Sequence, residues 1–78
     1  MSAERVADLE RQAEEAYTAM YEVEAYAAKD CYDDARMYFR QAMEAAREAG
    51  LDKEADRLEQ RLEHVRSVYF EQFRGVGR

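Results

Sequence analysis

The chain has 78 residues, 18 acidic against 12 basic, with one cysteine, three glycines and no proline. That length makes one domain with a thin core, because such a chain buries only about 60% of the surface it exposes when unfolded. A net charge of −6 repels phosphates and anionic lipid, which argues against nucleic acid and membrane surfaces as direct ligands.

The single cysteine excludes an internal disulfide and fits a reducing compartment. No apolar run approaches the ~20 residues of a membrane span. The opening Met1 to Val6 lacks the basic start and apolar centre of a signal peptide, so a cytoplasmic location is expected. The acidity is uneven: residues 1–30 hold eight acids against three bases, whereas residues 51–78 hold six of each.

A first helix is expected from about residue 3 to 28, with Ser2 as its cap. Val6, Leu9, Ala13, Ala16, Met20, Val23 and Ala27 recur at alternating steps of three and four, the rhythm of a packed helical seam. Tyr17 and Tyr21, one turn apart, widen this stripe, and Arg11 lies within reach of Asp8, Glu14 and Glu15. A short connection, Ala28 to Asp30, leads to a second helix over residues 31–49. Asp30 and Asp33 suit its N-terminus. Its apolar face is Cys31, Ala35, Phe39, Ala42, Ala46 and Ala49.

Gly50 is the expected left-handed terminator of that helix, with Leu51 folding back on its last turn. A third helix follows over residues 53–74, capped by Asp52, with Ala55, Leu58, Leu62, Val65, Tyr69 and Phe73 as its stripe. Arg74 and Gly75 close it, and residues 75–78 are expected to fray. The fold class is therefore all-α, an antiparallel three-helix bundle in a single domain spanning residues 1–78.

Short connections make neighbouring helices antiparallel, so the first and third run parallel. One pole then gathers Met20, Tyr21, Tyr26, Cys31, Tyr32, Tyr38, Phe39, Tyr69, Phe70 and Phe73. The other gathers Val6, Leu9, Ala42, Ala46, Leu51, Ala55 and Leu58. Rings at the splayed end of a bundle serve as core, with tyrosine hydroxyls at the rim. A share of them, Tyr26, Tyr32, Tyr38 and Phe70, with Tyr17 and Tyr21 beside them, is expected to form an exposed patch for a protein partner or for self-association.

No constellation for catalysis is expected. Ser2, Thr18 and Ser67 each stand alone, and the acids sit at helix-surface spacing rather than converging on a pocket. Cys31, near the start of a helix, is flanked by Asp30, Asp33 and Asp34 and reads as a small core residue. His64 is the one histidine, off the Leu62–Val65 stripe, and no repeated Glu-x-x-His motif accompanies it, so neither a metal nor a cofactor is expected. Arg66, Arg74 and Arg78 make only a slight basic tip near the aromatic pole.

Tyr26, Ala35, Phe39 and Ala42 are spaced as in a tetratricopeptide repeat, and residues 19 to 47 resemble a degenerate copy of that motif. Ala19, Glu22, Val23 and Arg47 stand where the family has tryptophan, leucine, glycine and proline. The resemblance implies a helical hairpin with a third, capping helix and a protein-binding role. The segment from Arg61 to Phe73 also resembles the ends of small, uncharacterised bacterial helical proteins, a likeness that brings no activity with it.

Two functions follow as expectations. The first is a non-catalytic interaction or adaptor domain that binds a protein partner or forms a homodimer through helix one and the aromatic pole. The alternative is an acidic inhibitor whose first helix mimics nucleic acid in a basic groove.

Overall fold

The computed structural model describes residues 3–73. Three helices form the domain: α1 (Ala3–Ala19), α2 (Ala28–Glu48) and α3 (Asp52–Val68). A 3-10 turn (Ala25–Ala27) precedes α2, and a π-helical turn (Tyr69–Phe73) extends α3. Among the described residues all regular structure is helical. The Cα body measures 43 × 17 × 12 Å, a lath one helix-pair thick.

The expected bundle is present, and its directions are fixed by residues that meet across it. Glu10 faces Arg57, Glu14 faces Arg61 and Tyr17 faces His64, so α1 and α3 run parallel. Tyr32 meets Tyr69 while Arg47 meets Glu59, so α2 and α3 run antiparallel.

Gly50 ends α2 as its position predicts. Its φ of +77° is the only positive φ among the described residues. The Leu51 N–H donates to the Ala46 carbonyl at 2.8 Å and the Gly50 N–H to that of Arg47 at 3.0 Å. These two bonds satisfy carbonyls that the helix end would otherwise leave open, and only a residue without Cβ adopts this turn at no strain.

The first helix ends earlier than its apolar rhythm predicts. It stops at Ala19, and residues 20–24 form a turn in which Tyr21 donates to Thr18 and Glu22 to Ala19, both at 3.0 Å. The chain reverses there although the rhythm continues: Met20 plugs the end at 1% exposure, and Val23 is left in the open. The second helix consequently begins at Ala28 rather than residue 31. Asp30 lies inside it, and its N-cap is Ala27, which makes no side-chain capping bond. At α3 the N-cap is Leu51 rather than Asp52, and the Leu51 carbonyl accepts from the Ala55 N–H at 3.0 Å. Ser2, Arg74 and the expected frayed tail lie outside the described residues.

The core follows the predicted stripes with local shifts. On α2 the buried positions are Ala28, Tyr32, Ala35, Phe39, Ala42 and Ala46. Cys31 is only half-buried and Ala49 is exposed, because the earlier start turns the face toward Ala28 and Tyr32. Phe39, Met20, Leu58 and Val65 are the large side chains sealed from water, each worth about 1.5–3 kcal/mol on burial. Ala13, Ala35, Ala42, Ala46 and Ala55 are buried between them and let the helices approach closely.

Candidate functional site

The aromatic pole forms as the parallel run of α1 and α3 requires. Tyr32, at the start of α2, stacks on Tyr69 with centroids 4.2 Å apart and planes within 5°. Phe70 meets Tyr32 edge-on at 6.2 Å, and Tyr21 meets Phe73 edge-on at 5.1 Å. Tyr69 and Phe73 lie four residues apart with nearly parallel rings 6.5 Å apart. Guanidinium groups cover two of the rings: Arg36 lies over Tyr32 at 5.4 Å and Arg66 over Phe70 at 6.0 Å.

The six residues expected to form an exposed patch divide in two. Tyr26 is 87% exposed in the 3-10 turn, Tyr21 is 52% and Phe70 is 43%. Tyr17 and Tyr38 are partly buried against the core. Tyr32 corrects the expectation: at 4% exposure it is core, because the early start of α2 points it at Tyr69. Val23, expected in the seam, joins the exposed set at 38%. The exposed apolar set near the pole is thus Tyr21, Val23, Tyr26 and Phe70.

The charges carry a feature that residue-by-residue reading missed. Arg57 of α3 grips the Glu10 carboxylate with two hydrogen bonds, 2.8 and 2.7 Å, and also pairs with Glu54. One turn on, Arg61 grips Glu14 at 2.6 and 2.9 Å while lying 5.1 Å over the Tyr17 ring. These two forked contacts make a ladder between parallel helices. Its signal in the sequence is Glu10 and Glu14 on one helix with Arg57 and Arg61 on the other, both at a spacing of four. That pattern becomes visible only once α1 and α3 are laid side by side in register. The ladder draws Glu10 and Glu14 out of the acidic face that a nucleic-acid mimic would present.

The electrostatics follow from these contacts. Partial burial, and then the hydrogen bond with Tyr21, push the Tyr17 hydroxyl up to about 12. Burial, reinforced by Asp34 and Asp30, raises the Cys31 thiol, so the helix start does not activate it. The hydrogen bond from Arg57 holds Glu54 below the usual carboxylate range. His64 is exposed and rests edge-on against Tyr17. Among the described residues no group of three or more His, Cys, Asp or Glu is placed to hold a metal ion. No helix among them is long and apolar enough to cross a membrane.

At the opposite pole a shallow groove is lined by Ala3, Val6, Ala7, Glu10, Leu51 and Glu54. In the repeat resemblance, Ala35, Phe39 and Ala42 fall on the buried face of α2, and Tyr26 falls in the turn before it. No family model, curated protein or solved structure matches this chain.

Proposed function

We propose that this chain is a non-catalytic protein-interaction domain that docks a partner through the edge of its aromatic pole. The observation that supports the reading is the exposure, at one end of the bundle, of Tyr26, on a turn at 87%, together with Tyr21, Val23 and Phe70. Tyrosine and phenylalanine contribute large contact area with few rotatable bonds, which is why they anchor protein interfaces. Behind them the pole is filled by stacked rings.

The test is a photo-crosslinking side chain placed at Tyr26 and, separately, at Lys53 on the opposite pole. Position 26 should link one discrete protein, and Phe70→Ala should abolish that link. Equal labelling from both positions, or none from position 26, overturns the reading. Binding through this edge should change little with salt, whereas an acidic mimic would lose affinity steeply as ionic strength rises.

A further inference from the structure

We propose that this chain exchanges α1 between two copies: the turn at residues 20–27 opens, and α1 and α2 fuse into one helix from Ala3 to Glu48. The partner is a second copy, and the contacts are those of the core itself. The inference goes beyond the docking reading and does not depend on it.

The two connections of the bundle are built differently. The α2–α3 turn has a dedicated stop, with Gly50 at a positive φ and two closing backbone hydrogen bonds. The α1–α2 turn has none. It contains neither glycine nor proline, no residue in it has a positive φ, and neither Glu24 nor Ala27 makes a side-chain capping bond. Its backbone bonds, such as Val23 to Ala19 at 3.1 Å and Ala27 to Glu24 at 2.8 Å, span three or four residues, as in a helix. Glu24 leaves helical geometry in an extended conformation, at φ −61° and ψ 151°. One rotation of ψ there begins to close the break.

The faces also agree. On a straight helix of 3.6 residues per turn, the buried residues of α1 (Val6, Leu9, Ala13) with Met20 and those of α2 (Ala28, Tyr32, Ala35, Phe39) fall within about 140° of one another. Val23 and Ala27 continue the three-and-four rhythm across the gap. Val23 is 38% exposed in the closed bundle. In an exchanged pair the two fused helices, each roughly 70 Å long, cross antiparallel with the Val23 residues of the two copies facing each other near the twofold axis. Every contact between α1 and the rest of the bundle, the Glu10–Arg57 and Glu14–Arg61 forks included, re-forms between copies. Such an exchange adds little beyond the cost of association, and here it also covers Val23.

The experiment mixes two chains in a Cys31→Ser background, one carrying Ala7→Cys and the other Leu51→Cys. These positions line the same groove, so a short bis-maleimide joins them across chains only when α1 has been exchanged. The chains are refolded together at high concentration and the mass is read by light scattering. A dimer whose two chains become covalently linked is the expected result. Glu24→Pro should then remove the dimer: proline suits the observed φ of −61° but breaks a continuous helix, lowering association by at least about a hundredfold per chain.

Deleting residues 21–27, about two helical turns, keeps the faces in register and leaves no turn to close, so that variant should be dimeric at every concentration. It also serves if Glu24→Pro fails to fold. A strictly monomeric chain after refolding, a dimer without the cross-chain link, or a folded monomeric deletion variant overturns the proposal. A partner crosslinked at Tyr26 by monomer alone would leave the docking reading standing while this one fell.

Discussion

Arg61 holds Glu14 with a two-pronged hydrogen bond across the α1–α3 interface, and the same guanidinium lies over the Tyr17 ring at 5.1 Å. Both side chains remain about a third exposed, at 36% and 33%. Solvent screening therefore limits what the pair contributes. A double-mutant cycle of Glu14→Ala and Arg61→Ala should give a coupling of about 0.5–1 kcal/mol that shrinks in high salt. Arg61→Lys should lose most of it, because an ammonium cannot form the fork. Urea midpoints for the four proteins measure this directly.

Phe39 sits fully buried at the middle of α2, in the core cluster of the domain. Phe39→Ala should cost about 3–5 kcal/mol. For a domain of this size, whose total stability is on the order of 5 kcal/mol, that leaves it largely unfolded at 37 °C. Circular dichroism at 222 nm should show the loss of helix; a cooperative melt near that of the wild type would contradict the packing.

Gly50 has open space where a Cβ would go, so substitution there meets backbone strain alone. Gly50→Ala should destabilise by about 1–2 kcal/mol through its left-handed conformation. Gly50→Asn should cost less, since asparagine tolerates that region better. A cost for alanine near zero would mean that the turn had relaxed into another form.

Partial burial pushes the Tyr17 hydroxyl up from its ordinary value of 10 to about 12. The folded protein thus favours the protonated phenol. That contribution to stability is fully present below pH 10 and is lost as the pH rises toward 12. Tyrosinate absorbance should show a late ionisation step, and Tyr17→Phe should remove it. A single transition centred near pH 10 would contradict the burial.

Much of this arrangement was legible in the residues. The stripes on α2 and α3, the stop at Gly50 and the gathering of rings at one pole all follow from apolar spacing and short connections. The end of α1 did not, for a physical reason. Local periodicity from Val6 to Ala27 is satisfied equally by a helix that continues and by one that turns, and no glycine or proline in that stretch marks the turn. That one shift moved the start of α2, buried Tyr32 and left Val23 in the open. The arginine ladder was hidden for a related reason. Each of its charges reads as an ordinary solvated residue until the parallel packing of two sequence-distant helices sets Glu10 opposite Arg57 and Glu14 opposite Arg61.

The 12 Å dimension of the Cα body has a consequence for recognition. Among the described residues the grooves are open to solvent, so a partner that docks on them is met along rims and flat faces rather than enclosed.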